Sequence, residues 1–204
     1  MKALVIGSNG GIGSHCVTLL AQQGYQVRGL TSDDLDLNFP DRVFDFDFKE
    51  FDLLLNSSGH SQGTYRGFLQ NSWHNQISQI MVNYAGNLAL LKHFANSRKN
   101  GKFVWISTSL MHEHARPFHS VYVSSKQASK TAIDLIRQEA NHIHVLEVNV
   151  GPTKTGFRHR NFEGTKSHQE VNIMYDQEHS LTAEYVAGKI VDAINKNTNE
   201  IHIQ

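Results

Sequence analysis

Strands and helices alternate in the pattern of apolar and polar residues along this chain. Runs that predict strands occupy residues 3–6, 25–31, 52–56, 103–107 and 143–150, and the leucines at 53–55 are typical of a parallel strand buried on both faces. Stretches with helical spacing occupy residues 14–23, 72–97, 122–141 and 182–195, and a last short run at 201–203 can add an edge strand. This alternation predicts a single α/β domain over residues 1–204. We expect a Rossmann-type, doubly wound parallel sheet with helices on both faces.

One connection departs from this pattern. Leu35, Asp36 and Leu37 predict a short third strand, but the few residues between Ser32 and Leu35 leave no room for a helix. The crossover between strands two and three is therefore expected to be trimmed. Pro40 suits the first turn of a short helix, with Asn38 near its cap.

The stretch from 156 to 178 is polar and irregular, and we expect a substrate loop there, either a mobile lid or a disordered segment. Its basic residues, which include Arg158 and Arg160, either meet an anionic substrate or form solvated surface. Together with Ser58, His60 and residues 110–119, this loop is expected to line the substrate pocket.

A glycine-rich turn separates the first predicted strand from the first helix. Such a turn lets backbone amides approach a pyrophosphate, while the start of the helix supplies partial positive charge. Two glycine frames fit equally well: Gly7, Gly11 and Gly13, or Gly7, Gly10 and Gly13. The candidate cofactor residues of this turn are Gly7, Ser8, Asn9, Gly11, Ile12 and Gly13.

The residues after the second strand choose between the 2′-hydroxyl of NAD and the 2′-phosphate of NADP. Thr31 stands where an NAD site usually presents a carboxylate, and Asp33 and Asp34 come two and three residues later. The hydroxyls of Thr31 and Ser32 do not repel a phosphate, so NADP is preferred and NAD is the alternative. No arginine follows directly, since Arg28 lies back within the strand.

Tyr122 and Lys126 lie one helical turn apart, so the ammonium of Lys126 is expected near the phenol oxygen of Tyr122. A nearby positive charge lowers the pKa of a phenol, which would make Tyr122 a usable general acid and base. Ser109, at the end of a strand, is expected to polarise a carbonyl oxygen that Tyr122 protonates. The same spacing recurs at Tyr185 and Lys189, but no serine lies at the matching offset, so that pair is interpreted as part of a surface helix.

The amino-acid composition indicates which kinds of binding partner and site to expect. Acidic and basic side chains balance at 19 each, which gives no reason to expect a nucleic acid or a charged membrane surface. No apolar run approaches the length of a membrane span or a signal peptide, so a cytoplasmic protein is expected. Cys16, the single cysteine, is predicted to be a buried core residue. The 13 histidines contain no recognised zinc spacing, so no metal site is predicted.

Taken together, the motifs resemble the short-chain dehydrogenase/reductase family nearly from end to end. The matching residues are Gly7-x-x-x-Gly11-Ile12-Gly13, Asn56-Ser57-Ser58-Gly59, Asn83, Ser109, Tyr122-x-x-x-Lys126 and Gly151-x-x-x-Thr155, in family order. The offset from Ser109 to Tyr122 is similar to that of the compact oxidoreductase branch rather than the longer sugar-nucleotide epimerases and dehydratases, which favours the first glycine frame. The departures Ile6, Ser57-Ser58 and Val150 fall mostly at supporting positions.

The resemblance implies a catalytic tetrad made of Tyr122, Lys126, Ser109 and Asn83. In it, Tyr122 is the general acid and base, Lys126 also binds the nicotinamide ribose, and Asn83 holds a water in a proton relay. The further cofactor contacts that it implies are Asp36 and Leu37 at the adenine, Asn56, Ser57, Ser58 and Gly59 along the ribose, and Thr153 and Thr155 at the carboxamide.

These observations predict an enzyme that transfers a hydride between NADP or NAD and a small carbonyl or alcohol substrate. Two alternatives stay open: an epimerase or dehydratase that uses the cofactor transiently, and a dinucleotide-sensing protein without catalysis. The family suggests a homodimer or homotetramer.

Overall fold

The computed structural model describes residues 1–112, 117–178, 180–196 and 198–204, and its described residues form a central sheet of six strands. The strand order is β2 (Gln26–Leu30), β1 (Lys2–Ile6), β3 (Leu53–Asn56), β4 (Gly101–Ile106), β5 (Ile143–Val150) and β8 (Glu200–Ile203). Every neighbouring pair is parallel, and the strand order reverses at β1, between β2 and β3. The predicted Rossmann-type sheet and its C-terminal edge strand are confirmed.

Helices cover both faces of the sheet, as predicted. Along β1, Val5 packs into the apolar cluster on one face and Ile6 into the cluster on the other, because successive side chains of a strand point to opposite faces. The first face is covered by α1 (Gly11–Gln22) and α7 (Ala183–Ile194). The second is covered by α3 (Gly86–Ser97) and α4 (Ser120–Glu139), while α2 (Trp73–Ile80) packs against α4.

The helix predicted over residues 72–97 is interrupted by one turn of π-helix, Met81–Ala85, between α2 and α3. Ser72 caps its start, where its side chain accepts a hydrogen bond from the backbone N–H of Asn75. The π turn carries Asn83, which is fully buried. Such turns occur often at functional sites, because the extra residue turns side chains away from regular helical positions.

The trimmed crossover is confirmed, but the predicted strand at Leu35, Asp36 and Leu37 is wrong. These residues join two turns, at 32–34 and 37–38: Leu35 N–H donates to the Thr31 carbonyl, and Asp36 Oδ1 accepts from Asn38 N–H at 2.9 Å. Because local bonds satisfy this backbone, it adds nothing to the sheet and β2 remains the edge strand. Pro40 begins a short 3₁₀ helix, Pro40–Asp45, as expected, although its cap residue is Phe39 rather than Asn38.

The prediction of an irregular loop over residues 156–178 is also wrong. The short strand β6 (Thr153–Lys154), which pairs with β7 (Leu181–Thr182), leads into the helices α5 (Gly156–Asn161) and α6 (His168–Gln177). A reciprocal capping box between Ser167 and Glu170 starts α6. A small apolar cluster of Phe162, Val171 and Tyr175, with Tyr65 packed against it, holds the segment on the domain.

The prediction for Cys16 is confirmed. Cys16 is buried, and burial raises the pKa of its thiol to about 12. Thr182 caps α7, since its Oγ1 accepts from Tyr185 N–H at 3.2 Å. Among the described residues, no helix has both the length and the apolar character needed to cross a bilayer.

Candidate active site

A cavity of about 590 Å³ opens at the carboxyl ends of the strands. The loops that follow β1, β2, β3, β4 and β5 form its walls, and α5 closes one end. Open α/β sheets bind ligands at this edge, at the point where the strand order reverses. The volume lies within the usual range of small-molecule sites.

The glycine turn after β1 lines this cavity and accounts for the preferred glycine frame. Gly7 has φ +76°, which favours glycine, and a Cβ on Gly13 would lie 2.2 Å from the Gly7 carbonyl oxygen. A Cβ on Gly11 would lie 2.5 Å from the Thr155 methyl carbon, whereas one on Gly10 would meet nothing closer than 3.2 Å. Positions 7, 11 and 13 therefore require glycine most strictly, and the backbone amides at the start of α1 remain accessible, which fits a dinucleotide phosphate.

Ser8 is predicted to bind cofactor, but its side chain packs on β2 instead. A Cβ built on Gly29 would lie 2.6 Å from the Ser8 Cβ, so the serine side chain covers the bare backbone of that glycine. Ser8 is absent from the cavity wall, whereas Asn9 and Ile12 are part of it.

Thr31 and Ser32, predicted at the 2′ position of the cofactor, and Asp36 and Leu37, predicted beside the adenine, line the same cavity. The Asp34 carboxylate accepts from the Thr31 backbone N–H at 2.8 Å and from its hydroxyl at 3.0 Å, and these bonds, with Arg28 nearby, lower the pKa of Asp34.

Asn56, predicted along the ribose, and Asn83, predicted to hold a water in a proton relay, both hydrogen-bond to the loop after β3. Asn56 Oδ1 accepts from the backbone N–H of Ser58 at 3.1 Å and from its hydroxyl at 2.5 Å. Asn83 Oδ1 accepts from the His60 backbone N–H at 2.9 Å, and its Nδ2 donates to the His60 carbonyl at 2.8 Å. The Asn83 carbonyl accepts from the Ser129 hydroxyl at 2.8 Å. Asn56 and Asn83 therefore act through Ser58 and His60, which do line the cavity.

Tyr122 and Lys126 lie at the centre of the cavity wall, and both are buried. Burial raises the pKa of the Tyr122 phenol to about 12, and a hydrogen bond with the Thr108 side chain opposes this rise. Burial also lowers the pKa of Lys126 to about 8, and its Nζ donates to the Ile106 carbonyl at 2.9 Å. The expected lowering of the phenol pKa is thus not found, because desolvation of the phenol outweighs the effect of its neighbours.

The structure brings most of the predicted residues to one cavity. Those on its wall are Gly7, Asn9, Gly11, Ile12, Thr31, Ser32, Asp36, Leu37, Ser57, Ser58, Gly59, Ser109, Tyr122, Lys126, Thr153 and Thr155. Those held away from it are Ser8, Gly13, Asn56 and Asn83. Thr108 was missed by the sequence analysis, although its hydroxyl lies one residue before the predicted Ser109. Only the geometry of the turn after β4 shows that Thr108 bonds the phenol.

The other end of the cavity is lined by His60, Tyr65, Leu110, His119, Phe157 and Arg160. His60, Leu110 and His119 are residues that the sequence predicts there, although positions 113–116 of that prediction lie outside the described residues. The Phe157 ring lies 5.9 Å from the Tyr122 ring, between centroids. Arg158 forms a two-point ion pair with Glu178, at 2.5 and 2.8 Å. This end of the cavity therefore combines aromatic and basic side chains.

Elsewhere, His112, Glu200 and His202 bring possible ligand atoms within 4.8 Å of one another. The Glu200 carboxylate already has partners: its Oε1 lies 2.8 Å from Asn149 Nδ2, which donates to it, and 2.9 Å from His202 Nε2. The grouping is therefore explained without a metal ion.

Comparisons with known proteins agree with this picture. The family model described as the NAD dependent epimerase/dehydratase family matches residues 3–165. Solved structures with the same fold include a small-chain dehydrogenase in complex with NADPH, with 18% identity, a TM-score of 0.85 and coverage of 100% of this chain and 96% of that chain. A closed serine dehydrogenase complexed with NADP⁺ has 16% identity, a TM-score of 0.86 and coverage of 100% and 94%.

An alcohol dehydrogenase from the archaeon Thermococcus sibiricus, complexed with 5-hydroxy-NADP, has 18% identity, a TM-score of 0.80 and coverage of 99% and 95%. Comparison with curated protein sequences finds no match. The resemblance to short-chain dehydrogenases is confirmed in the fold.

Proposed function

Because the chain belongs to the NAD dependent epimerase/dehydratase family, we propose that it is an NAD(P)-dependent oxidoreductase acting on a small carbonyl or alcohol substrate. Tyr122 is its general acid and base. One observation carries the proposal: Tyr122, Lys126 and Thr108 face the same cavity as the glycine turn, at the edge of the sheet where such folds bind nucleotides.

The residues that would hold the cofactor form a continuous path along the cavity. The glycine turn would bind the pyrophosphate, Asp36 and Leu37 the adenine, and Thr153 and Thr155 the carboxamide. Ser57, Ser58 and Gly59 would follow the ribose, and Lys126 the nicotinamide ribose. When bound, a reduced nicotinamide supplies the hydride.

Tyr122 would donate the proton that reduction of a carbonyl requires. With a pKa of about 12 the phenol is protonated at neutral pH, which is the form that can donate. Thr108, already bonded to the phenol, and Ser109 on the same wall supply hydroxyls that can orient the carbonyl oxygen. Oxidation of an alcohol needs the deprotonated phenol, so its rate should rise with pH.

NADP is the preferred cofactor and NAD the alternative. The hydroxyls of Thr31 and Ser32, and the cofactors in the solved relatives, support NADP. The Asp34 carboxylate at Thr31 opposes it, although Arg28 offsets part of that charge. We expect a larger rise in melting temperature with NADPH than with NADH, and Asp34→Asn should widen the difference. A larger rise with NADH in both proteins would exclude the preference.

The chain contains a control for the test of Tyr122. Tyr185 and Lys189 repeat the same spacing on α7, with Lys189 Nζ 5.3 Å from the centre of the Tyr185 ring, but Tyr185 is an exposed surface residue. Tyr122→Phe should lower kcat for carbonyl reduction by about 10²- to 10⁴-fold, the usual contribution of a general acid. Tyr185→Phe should leave it unchanged. Equal activity in the two variants would refute the assignment.

A transient use of the cofactor is the second candidate, because the matched family includes epimerases and dehydratases. It predicts product formation without net change in nicotinamide absorbance, whereas the oxidoreductase converts one equivalent of cofactor per product. A homodimer or homotetramer is the expected assembly, which sedimentation equilibrium would measure.

A further inference from the structure

Two arginines on α5, Arg158 and Arg160, line the cavity, and they differ in whether a carboxylate balances their charge. The charge of Arg158 is balanced by the two-point ion pair with Glu178. Among the described residues, no carboxylate pairs with Arg160, whose guanidinium carbon lies 5.7 Å from the centre of the Phe157 ring. A cation that is partly removed from water without a counter-ion is stabilised by an anion that enters the cavity.

Arg160 lies within reach of a molecule that occupies the reaction centre. The Phe157 ring lies 5.9 Å from the Tyr122 ring, between centroids, and its centre lies 5.7 Å from the Arg160 guanidinium carbon, so one aromatic side chain neighbours both the proton donor and the cation. The same ring packs over the backbone of Gly59, where a Cβ would lie 3.2 Å from Phe157 Cε2. Phe157 therefore connects Gly59, Tyr122 and Arg160 on the cavity wall.

A second polar group points to the same ligand chemistry. His60 Nε2 is buried and has no hydrogen-bond partner among the residues that the structure describes. Arg160 is close enough to His60 to lower the pKa of its imidazole, after the larger effect of burial. A neutral imidazole with its proton on Nε2 can donate to a carboxylate oxygen, and the backbone of His60 is held in place by Asn83.

On these observations, and resting on the oxidoreductase function proposed above, we propose that the substrate is an oxo acid or hydroxy acid. Its carboxylate is bound by Arg160 and His60, while its carbonyl or hydroxyl group faces Tyr122. The planar guanidinium suits a carboxylate, because it can donate two parallel hydrogen bonds.

Matched pairs of substrates test the proposal. Short 2-oxo and 3-oxo acids are compared with their methyl esters in reduction by NADPH and by NADH, using the wild type, Arg160→Gln and Arg160→Lys. Lys166→Gln is the control, because it removes one positive charge from the same segment at an exposed position outside the cavity wall.

We expect the wild type to prefer acids, and Arg160→Gln to lower kcat/KM for the preferred acid by about 10- to 100-fold, the usual effect of losing a hydrogen bond to a charged group. The loss should appear mainly in KM, the ester should be unaffected, and Arg160→Lys should recover part of the activity. Equal use of acids and esters by the wild type would overturn the proposal, as would equal losses for both in Arg160→Gln.

Calorimetric titration of the same acids into NADPH-loaded Tyr122→Phe, with and without Arg160→Gln, separates this inference from the proposed function. Binding that needs Arg160, without turnover of any carbonyl compound by the wild type, would sustain the anion site and refute the oxidoreductase. Turnover of neutral carbonyl compounds, without any binding of the acids, would sustain the oxidoreductase and refute the anion site.

Discussion

Replacing Lys126 by methionine should stabilise the free protein at neutral pH. The pKa of Lys126 is lowered from 10.5 to about 8, because its ammonium is buried. Each unit of pKa shift corresponds to about 1.4 kcal/mol, so the charged lysine costs the fold about 3 kcal/mol below the folded pKa. Methionine keeps the chain length without the charge.

The sign of the pH dependence follows from proton binding. Between about pH 8 and 10.5 the unfolded chain holds more protons at this lysine than the folded chain does, so wild-type stability gains from rising pH in that window. The cost of the charge is complete below the window and absent above it. Lys126→Met also leaves the Ile106 carbonyl without its donor, which costs about 1–3 kcal/mol at every pH.

Removing a cost of about 3 kcal/mol and adding one of about 1–3 kcal/mol gives a gain of up to about 2 kcal/mol at pH 7. This gain shrinks with rising pH and reverses in the alkaline range. Urea unfolding of both proteins without cofactor, at several pH values, measures it. A Lys126→Met variant that is less stable than the wild type by a constant amount at all pH values would show that the buried charge of Lys126 does not destabilise the fold.

Further predictions concern single positions. Thr108→Val should lower kcat/KM by about 10- to 100-fold, through loss of a hydrogen bond at the reaction centre, with NADPH affinity unchanged in calorimetry. Gly188→Ala should raise the free energy of unfolding by about 0.5–1 kcal/mol, because a Cβ meets nothing within 4 Å there, whereas Gly13→Ala should lower NADPH affinity through the contact at 2.2 Å. Ser167→Ala should cost about 1 kcal/mol in urea unfolding, because it removes the cap of α6. The predictions would be contradicted by an unchanged kcat/KM in Thr108→Val, by a lower free energy of unfolding in Gly188→Ala, or by an unchanged free energy of unfolding in Ser167→Ala.

The fold could be predicted from the sequence because its signals are local. The leucines of β3 predict a buried strand, and the helical spacing after β1 predicts a helix, each without reference to distant residues. The alternation of such strands and helices predicts the parallel sheet. The segment at Leu35 to Leu37 misleads because apolar residues also suit a buried turn, where Asp36 bonds its own neighbour. The helix α6 was missed because its apolar residues pack against Tyr65, which lies far away in sequence.

The sequence predicts most of the residues that line the candidate site, but not their burial, pKa values or ion pairs. Spacing places Tyr122 and Lys126 together, yet it does not show that both are buried, which reverses the expected shift of the phenol pKa. Spacing also selects Ser109, while the hydrogen bond to the phenol comes from Thr108. Arg158 and Arg160 differ in charge balance because Glu178 pairs with Arg158. Glu178 follows α6, so this pairing depends on how α6 packs against α5, which the spacing of residues does not show.

Transfer of deuterium from C4-deuterated NADPH to the product carbon measures hydride transfer at this site and its dependence on Tyr122. The wild type should give an alcohol labelled at the carbinol carbon, while Tyr122→Phe, with an NADPH dissociation constant within about twofold of the wild type, should transfer about 10²- to 10⁴-fold more slowly. Deuterium transfer by Tyr122→Phe at the wild-type rate would contradict the account.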